Sequence, residues 1–173
     1  MTNNERHDTD ILSRADALRE SVIANFPALS FRGEVTPVDG EWTRENTEDE
    51  KALYETLKGR SWKQVPPEFV NSHPDGLNFV TDKAFCCFLP AWLLQTLQNL
   101  DGENEVRDFA VYMFNPKHEG NDPPAMIFRR LALLSPEQRK VARSFMEFFS
   151  EAESSGFVRT RAARAVSRID EGS

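Results

Sequence analysis

Cysteine is scarce in this chain: there are two, Cys86 and Cys87, side by side. A disulfide between neighbours is strained and closes almost no loop, so the pattern excludes the stapled design of small secreted domains. Glycine never clusters. Eight are present, and the closest pair, Gly33 and Gly40, stands seven positions apart. Loops that cradle phosphates need grouped glycines, so the dinucleotide-binding and P-loop motifs are missing, and no Gly-x-Ser-x-Gly elbow occurs. Histidine is rare too. His7, His73 and His118 form no helical ligand pair, and adjacent cysteines project about 100° apart on a helix, too far to chelate one zinc. No catalytic or metal-ligating residue stands out, and no cofactor is expected.

Long apolar runs are also lacking. The longest, Ala84 to Leu94, has eleven residues and contains Pro90, too few to span a bilayer, so no membrane partner is expected. The polar stretch Met1 to Asp10 has neither the basic start nor the apolar centre of a signal peptide. A cytoplasmic location with reduced thiols follows as the expectation. Basic residues are outnumbered, 21 Lys and Arg against 28 Asp and Glu, giving a net charge of −7. That balance argues against nucleic acid, whose phosphates reward clustered cations, and it steers towards basic partners.

What is present is core material: thirteen Phe and three Trp in 173 residues, enough for one domain of ordinary size. Ile11, Ala15, Leu18, Val22 and Phe26 recur at helical spacing and are ended by Pro27, with Asp8 to Asp10 placed to start the helix. Thr47 and Glu50 form a capping box before Leu53, Tyr54 and Leu57, and Gly59 suits the left-handed position after that helix. Leu29 to Val35 and Leu77 to Val80 are short enough to be strands, whereas Trp62 to Phe69, around Pro66-Pro67, suggests a turn or one-turn helix. Thr81-Asp82 opens the most apolar helix, which Pro90 should kink or break. Val106 to Met113 and Ala125 to Leu134 predict two more. Ser135-Pro136-Glu137-Gln138 is the clearest helix start in the chain, with cap, Pro and Gln in capping-box order.

The fold expected is mainly α: a single compact helical domain of five to seven helices with at most a small strand pair. Residues 1–7 are expected to form a flexible tail and 8–156 the helical domain. Residues 157–173 are expected to form a basic helix or a frayed tail.

Two charged segments remain. Residues Glu34 to Glu55 hold eight acids (Glu34, Asp39, Glu41, Glu45, Glu48, Asp49, Glu50 and Glu55) against Arg44 and Lys51, with Trp42 among them. Acids at the start of a helix complement its dipole without any partner. An aromatic residue among acids is also a candidate contact for a basic protein, since Trp is enriched at interface hot spots. Pairs such as Glu48 and Glu55, or Asp75 and Asp82, suit acid–base chemistry in principle, but a chain this rich in acids yields such pairs by chance. Arg159, Arg161, Arg164 and Arg168 make the second segment. Self-association with the acidic stretch, or helix-end electrostatics, explains them better than RNA binding, because no aromatic stacking platform accompanies them in the sequence.

Three passages together resemble a family of small bacterial proteins known only as a domain of unknown function. They are Leu57-Lys58-Gly59-Arg60-Ser61-Trp62 with Val65-Pro66; Leu77 to Phe85 running into Phe88-Leu89-Pro90-Ala91-Trp92-Leu93; and Leu133-Leu134-Ser135-Pro136-Glu137-Gln138. The resemblance covers about residues 45–150 and implies a conserved fold without a known activity, so it carries over no catalytic residue. Cys86-Cys87 depart from its pattern. In size and style the chain is also similar to the acidic, non-enzymatic immunity proteins of bacterial toxin systems, a likeness that does not by itself establish function. The expected function is therefore a cytosolic, non-catalytic protein-binding module that meets a basic partner through the acidic stretch. The alternative is an enzyme or small-ligand binder using a pocket between helices.

Overall fold

The computed structural model describes residues 3–37, 48–98, 100, 104–114, 125–152 and 156–171. Among them are eight α-helices and two 3-10 turns, and no strand. The helices are α1 Asn3–Asn25, α2 Glu48–Leu57, α3 Pro67–Ser72, α4 Asp82–Thr96, α5 Glu105–Phe114, α6 Ala125–Leu133, α7 Pro136–Ala152 and α8 Gly156–Glu171. The 3-10 turns are Trp62–Gln64 and Gly76–Asn78, so the second candidate strand is instead a tight helical turn. Leu29 to Val35 forms no strand: the chain bends at Gly33 and Val35, and Leu29 is 69% exposed, which breaks the alternation a half-buried strand needs. The count exceeds the expected range by one. Helix α1 also starts at Asn3, ahead of the Asp8–Asp10 start read from capping chemistry.

Helix α4 is the axis of the molecule. It packs against α1, α3, α5, α6 and both 3-10 turns. Thr81 caps it, its hydroxyl accepting from the Ala84 N–H at 3.3 Å. Pro90 does not break it: the helix runs unbroken from Asp82 to Thr96. A proline inside a helix costs about 3 kcal/mol, since it has no N–H to give the carbonyl four residues back. Phe88, Leu89, Trp92 and Leu93 are fully buried around it, and each buried side chain of this kind contributes about 1.5–3 kcal/mol. Packing outweighs the backbone preference. The Trp92 indole N–H donates to the His73 carbonyl at 3.2 Å, which fastens the end of α3 to α4.

Helix α7 begins as its sequence dictates. Ser135 N–H donates to Gln138 Oε1 at 2.9 Å, and Gln138 N–H donates back to Ser135 Oγ at 3.2 Å. Its inward stripe, Val141, Ala142, Phe145, Phe148 and Phe149, is buried against α1 and α8. The C-terminal basic segment is a helix, and its stripe Val158, Ala162, Ala165 and Ile169 is buried against α7 and α5. Gly59, at φ 72°, ends α2 in the left-handed conformation that glycine adopts without steric cost.

Candidate functional site

The acidic residues singled out in the sequence divide into three groups. Asp39, Glu41, Trp42 and Glu45 lie outside the described residues, as does the capping residue Thr47. Glu48, Asp49, Glu50 and Glu55 come together on α2, where Leu53 and Leu57 fill the core. At 100° per residue, Glu48 and Glu55 project from the outer face with Lys51 between them. Lys51 Nζ is 3.0 Å from Glu48, while Glu55 is exposed with no partner among the described residues. Asp49 is exposed on one flank, 3.9 Å from His73 Nε2, and Glu50 is half-buried and engaged. Glu34 sits elsewhere. Its carbonyl accepts from the Thr81 hydroxyl at 2.6 Å, which places it at the amino end of α4.

Beside Glu34 opens a groove of about 670 Å³, lined by Thr81, Asp82, Lys83, Arg129 and Leu133 among others. At its base lies a charge cluster. Arg130, only 2% exposed, donates from Nε to Asp82 at 3.1 Å and from Nη2 to the Val80 carbonyl at 3.1 Å. Its guanidinium lies 4.3 Å from the centre of the Phe85 ring. Arg129, 61% exposed, donates to the other Asp82 oxygen at 2.9 Å. Burial pushes the Asp82 carboxyl up, but the hydrogen bonds and charges of Arg129 and Arg130 outweigh it and hold it below its ordinary value. A carboxylate so held is a weak base, and both its oxygens are already engaged.

The Cys86 and Cys87 thiols shift in the opposite direction. Burial pushes the Cys86 thiol up to about 12, and it donates to the Arg130 carbonyl at 3.3 Å. Cys87 is also raised by burial. Both are neutral thiols, and the nucleophilic form of cysteine is the thiolate. No group of three His, Cys, Asp or Glu among the described residues is arranged to hold a metal ion. No described helix is long and apolar enough to cross a membrane.

The buried Arg130 was missed in the sequence, although a signal existed. It falls on the stripe of Ile127, Leu131 and Leu134, all buried, and an arginine on an apolar face requires a partner. A smaller groove of about 360 Å³ lies between Ile23, Trp62, Val65, Pro67 and Leu94 and is mainly apolar.

Comparison with curated proteins and with solved structures gives no match. A family of unknown function, DUF6714, matches residues 23–167, most of the chain, from the last turn of α1 into α8, and the protein belongs to that family.

Proposed function

We propose that this chain is a non-catalytic protein-binding module of the bacterial cytoplasm that meets a basic partner through the outer face of α2. In its most concrete form it is an immunity or inhibitor protein that masks a basic surface. The observation that carries this reading is the division of labour within α2. Leu53 and Leu57 hold the helix to the core while Glu48, Asp49 and Glu55 stay exposed, so the carboxylates can pair with a partner without disturbing the fold. Opposed charges at an interface raise the association rate and exclude wrong partners.

The interior favours this reading over a small-ligand site. Among the described residues one buried side-chain polar atom, Thr36 Oγ1, lacks a partner. The larger groove offers Asp82 only as a carboxylate bound by two arginines.

A tagged pull-down with mass spectrometry should recover a basic protein in near-equal amount. Calorimetry with that partner should then show weaker binding for Glu48→Lys, Asp49→Lys and Glu55→Lys combined, with only a modest fall in melting temperature from the lost helix-dipole complement. Unchanged affinity in the reversed protein would sink the assignment.

A further inference from the structure

Lys83 stands exposed in the first turn of α4 and makes no ion pair or side-chain hydrogen bond among the described residues. A helix dipole disfavours a cation at that end, so the helix itself does not explain the residue. Lys83 lines the larger groove together with Arg129 of α6. Arg129 gives only its Nε to Asp82, and its two terminal nitrogens have no partner among the described residues. Around this groove Glu34 and Asp82 face Lys83, Arg129 and the buried Arg130. Three cations against two acids leave a local positive excess in a chain whose net charge is −7.

The walls supply two further features. Ala132 and Leu133 line the groove with apolar surface, and Leu133 is 50% exposed. Gly33 lines it with bare backbone: neither its N–H nor its carbonyl bonds to a described residue. A Cβ at Gly33 would stand 2.8 Å from Phe31 Cζ, and the Phe31 ring is itself set edge-on to Phe88 at 5.7 Å. Packing thus keeps the position free of a side chain, and glycine lets another backbone approach closely.

We infer that this groove docks a short extended segment of a partner polypeptide, one that carries a carboxylate beside an apolar side chain. The carboxylate meets Lys83 and the open end of the Arg129 fork, whose planar geometry suits it. The apolar side chain covers Ala132 and Leu133, and the segment's backbone pairs with Gly33 as in strand addition. Bends at Gly33 and Val35 keep that pairing short, so the side chains decide what binds. Glu34, exposed on the same groove, repels a run of acids, so a single carboxylate fits better than an acidic tract or a nucleic acid. A small ligand also fits less well. Its site should enclose most of its surface, whereas Arg129 and Leu133 both stand open to solvent. The groove shares no residue with α2, so the two faces select segments of opposite charge. Exposed charges contribute little singly, which sets the expected affinity at about 1–100 μM.

The full chain, panned against phage displaying random peptides of about nine residues, about 30 Å when extended, tests this directly. Enriched sequences should place one Asp or Glu within two residues of Leu, Ile or Phe. Fluorescence polarisation with a labelled synthetic peptide of the enriched sequence then measures the contact. Lys83→Glu should raise the dissociation constant about tenfold, and Leu133→Ser about fivefold. Both positions are exposed, so both variants should melt like the unaltered protein. With the peptide's carboxylate changed to its amide, Lys83→Glu should have little further effect, which ties the two charges to each other. The Gly33 amide should be among the resonances that move when the peptide meets ¹⁵N-labelled protein. Reversal of Glu48, Asp49 and Glu55 should leave the affinity within about twofold, since that face is separate. Absence of any convergent sequence overturns the inference, as does an enriched peptide indifferent to both Lys83→Glu and Leu133→Ser. Enrichment of basic peptides alone, lost on reversal of the α2 acids, overturns it while leaving the proposed function intact. Octanoate that moves the groove resonances of a chain selecting no peptide overturns it in favour of a small amphiphilic acid.

Discussion

Two charge clusters in this protein use the same chemistry in opposite settings. In one, Asp82 joins Arg129 and Arg130 between α4 and α6, and Arg130 is 2% exposed. In the other, Arg143 of α7 donates to Asp170 of α8 at 2.8 Å and also pairs with Glu147, with all three side chains 38–52% exposed. The buried cluster cannot fall back on water if a member is lost, because charges out of water depend on their partners. The exposed cluster can. Burial, rather than the number of contacts, decides what each holds in place.

The largest effect should follow from removing Asp82. Asp82→Asn leaves Arg130 as a buried cation without its counter-charge and should cost about 3 kcal/mol, the lower end for a broken buried pair. Urea unfolding would measure it. Adding Arg130→Met removes the stranded charge, so the double variant should lose less than Asp82→Asn alone. A double variant that is markedly worse would mean that Arg130 is held for its packing on Phe85 rather than for its charge.

Asp82 should also show in the pH dependence. Its folded-state pKa is held below the ordinary 3.8, so its stabilising contribution is fully present above that value. The contribution is lost as pH falls below 3.8 through the depressed folded value, because the unfolded chain then binds the proton more readily. Asp82→Asn should therefore flatten the acid side of the stability curve in that range. An acid limb as steep as in the unaltered protein would place the titrating group elsewhere.

Much of this architecture was legible from spacing alone. The α1 stripe, the Ser135–Gln138 box and the glycine after α2 are local signals, and each stands in the structure. The failures have one physical cause. The segment Leu77 to Val80 reads as a strand from backbone preference, but the surroundings decide it: Gly76–Asn78 tightens into a 3-10 turn against α4, and of the two outcomes expected for Pro90, a kink or a break, the break does not occur. The charge cluster beside the groove joins Asp82 to Arg130, 48 residues away, which no local pattern can connect. Likewise, Tyr112 lies far from Arg161 in the sequence, and only the packing of α5 on α8 brings the two together. The α2 acids, neighbours in sequence, stay neighbours in the fold, whereas Glu34 belongs to the α4 end of the molecule.

The smallest effect should come from Arg143→Ala, and it sharpens the comparison because Arg143 makes more ion pairs than Arg130. Hydrogen bonding to Asp170 leads the causes that push the Arg143 pKa up, yet the group already carries its full charge at any pH where the protein folds. The stabilisation that goes with the raised value is therefore fully present near neutrality and does not vary with pH there, and solvent screening of so exposed a group keeps it small. What remains is a screened surface contact between α7 and α8, whose packing rests on Phe145, Phe149, Ala162 and Ala165, all buried. The melting temperature of Arg143→Ala should fall slightly at low salt and match the unaltered protein at about 1 M salt, where screening is nearly complete. A large loss that persists in high salt would show the side chain holding the α7–α8 seam through its apolar stem, and exposure would then be a poor guide to which cluster matters.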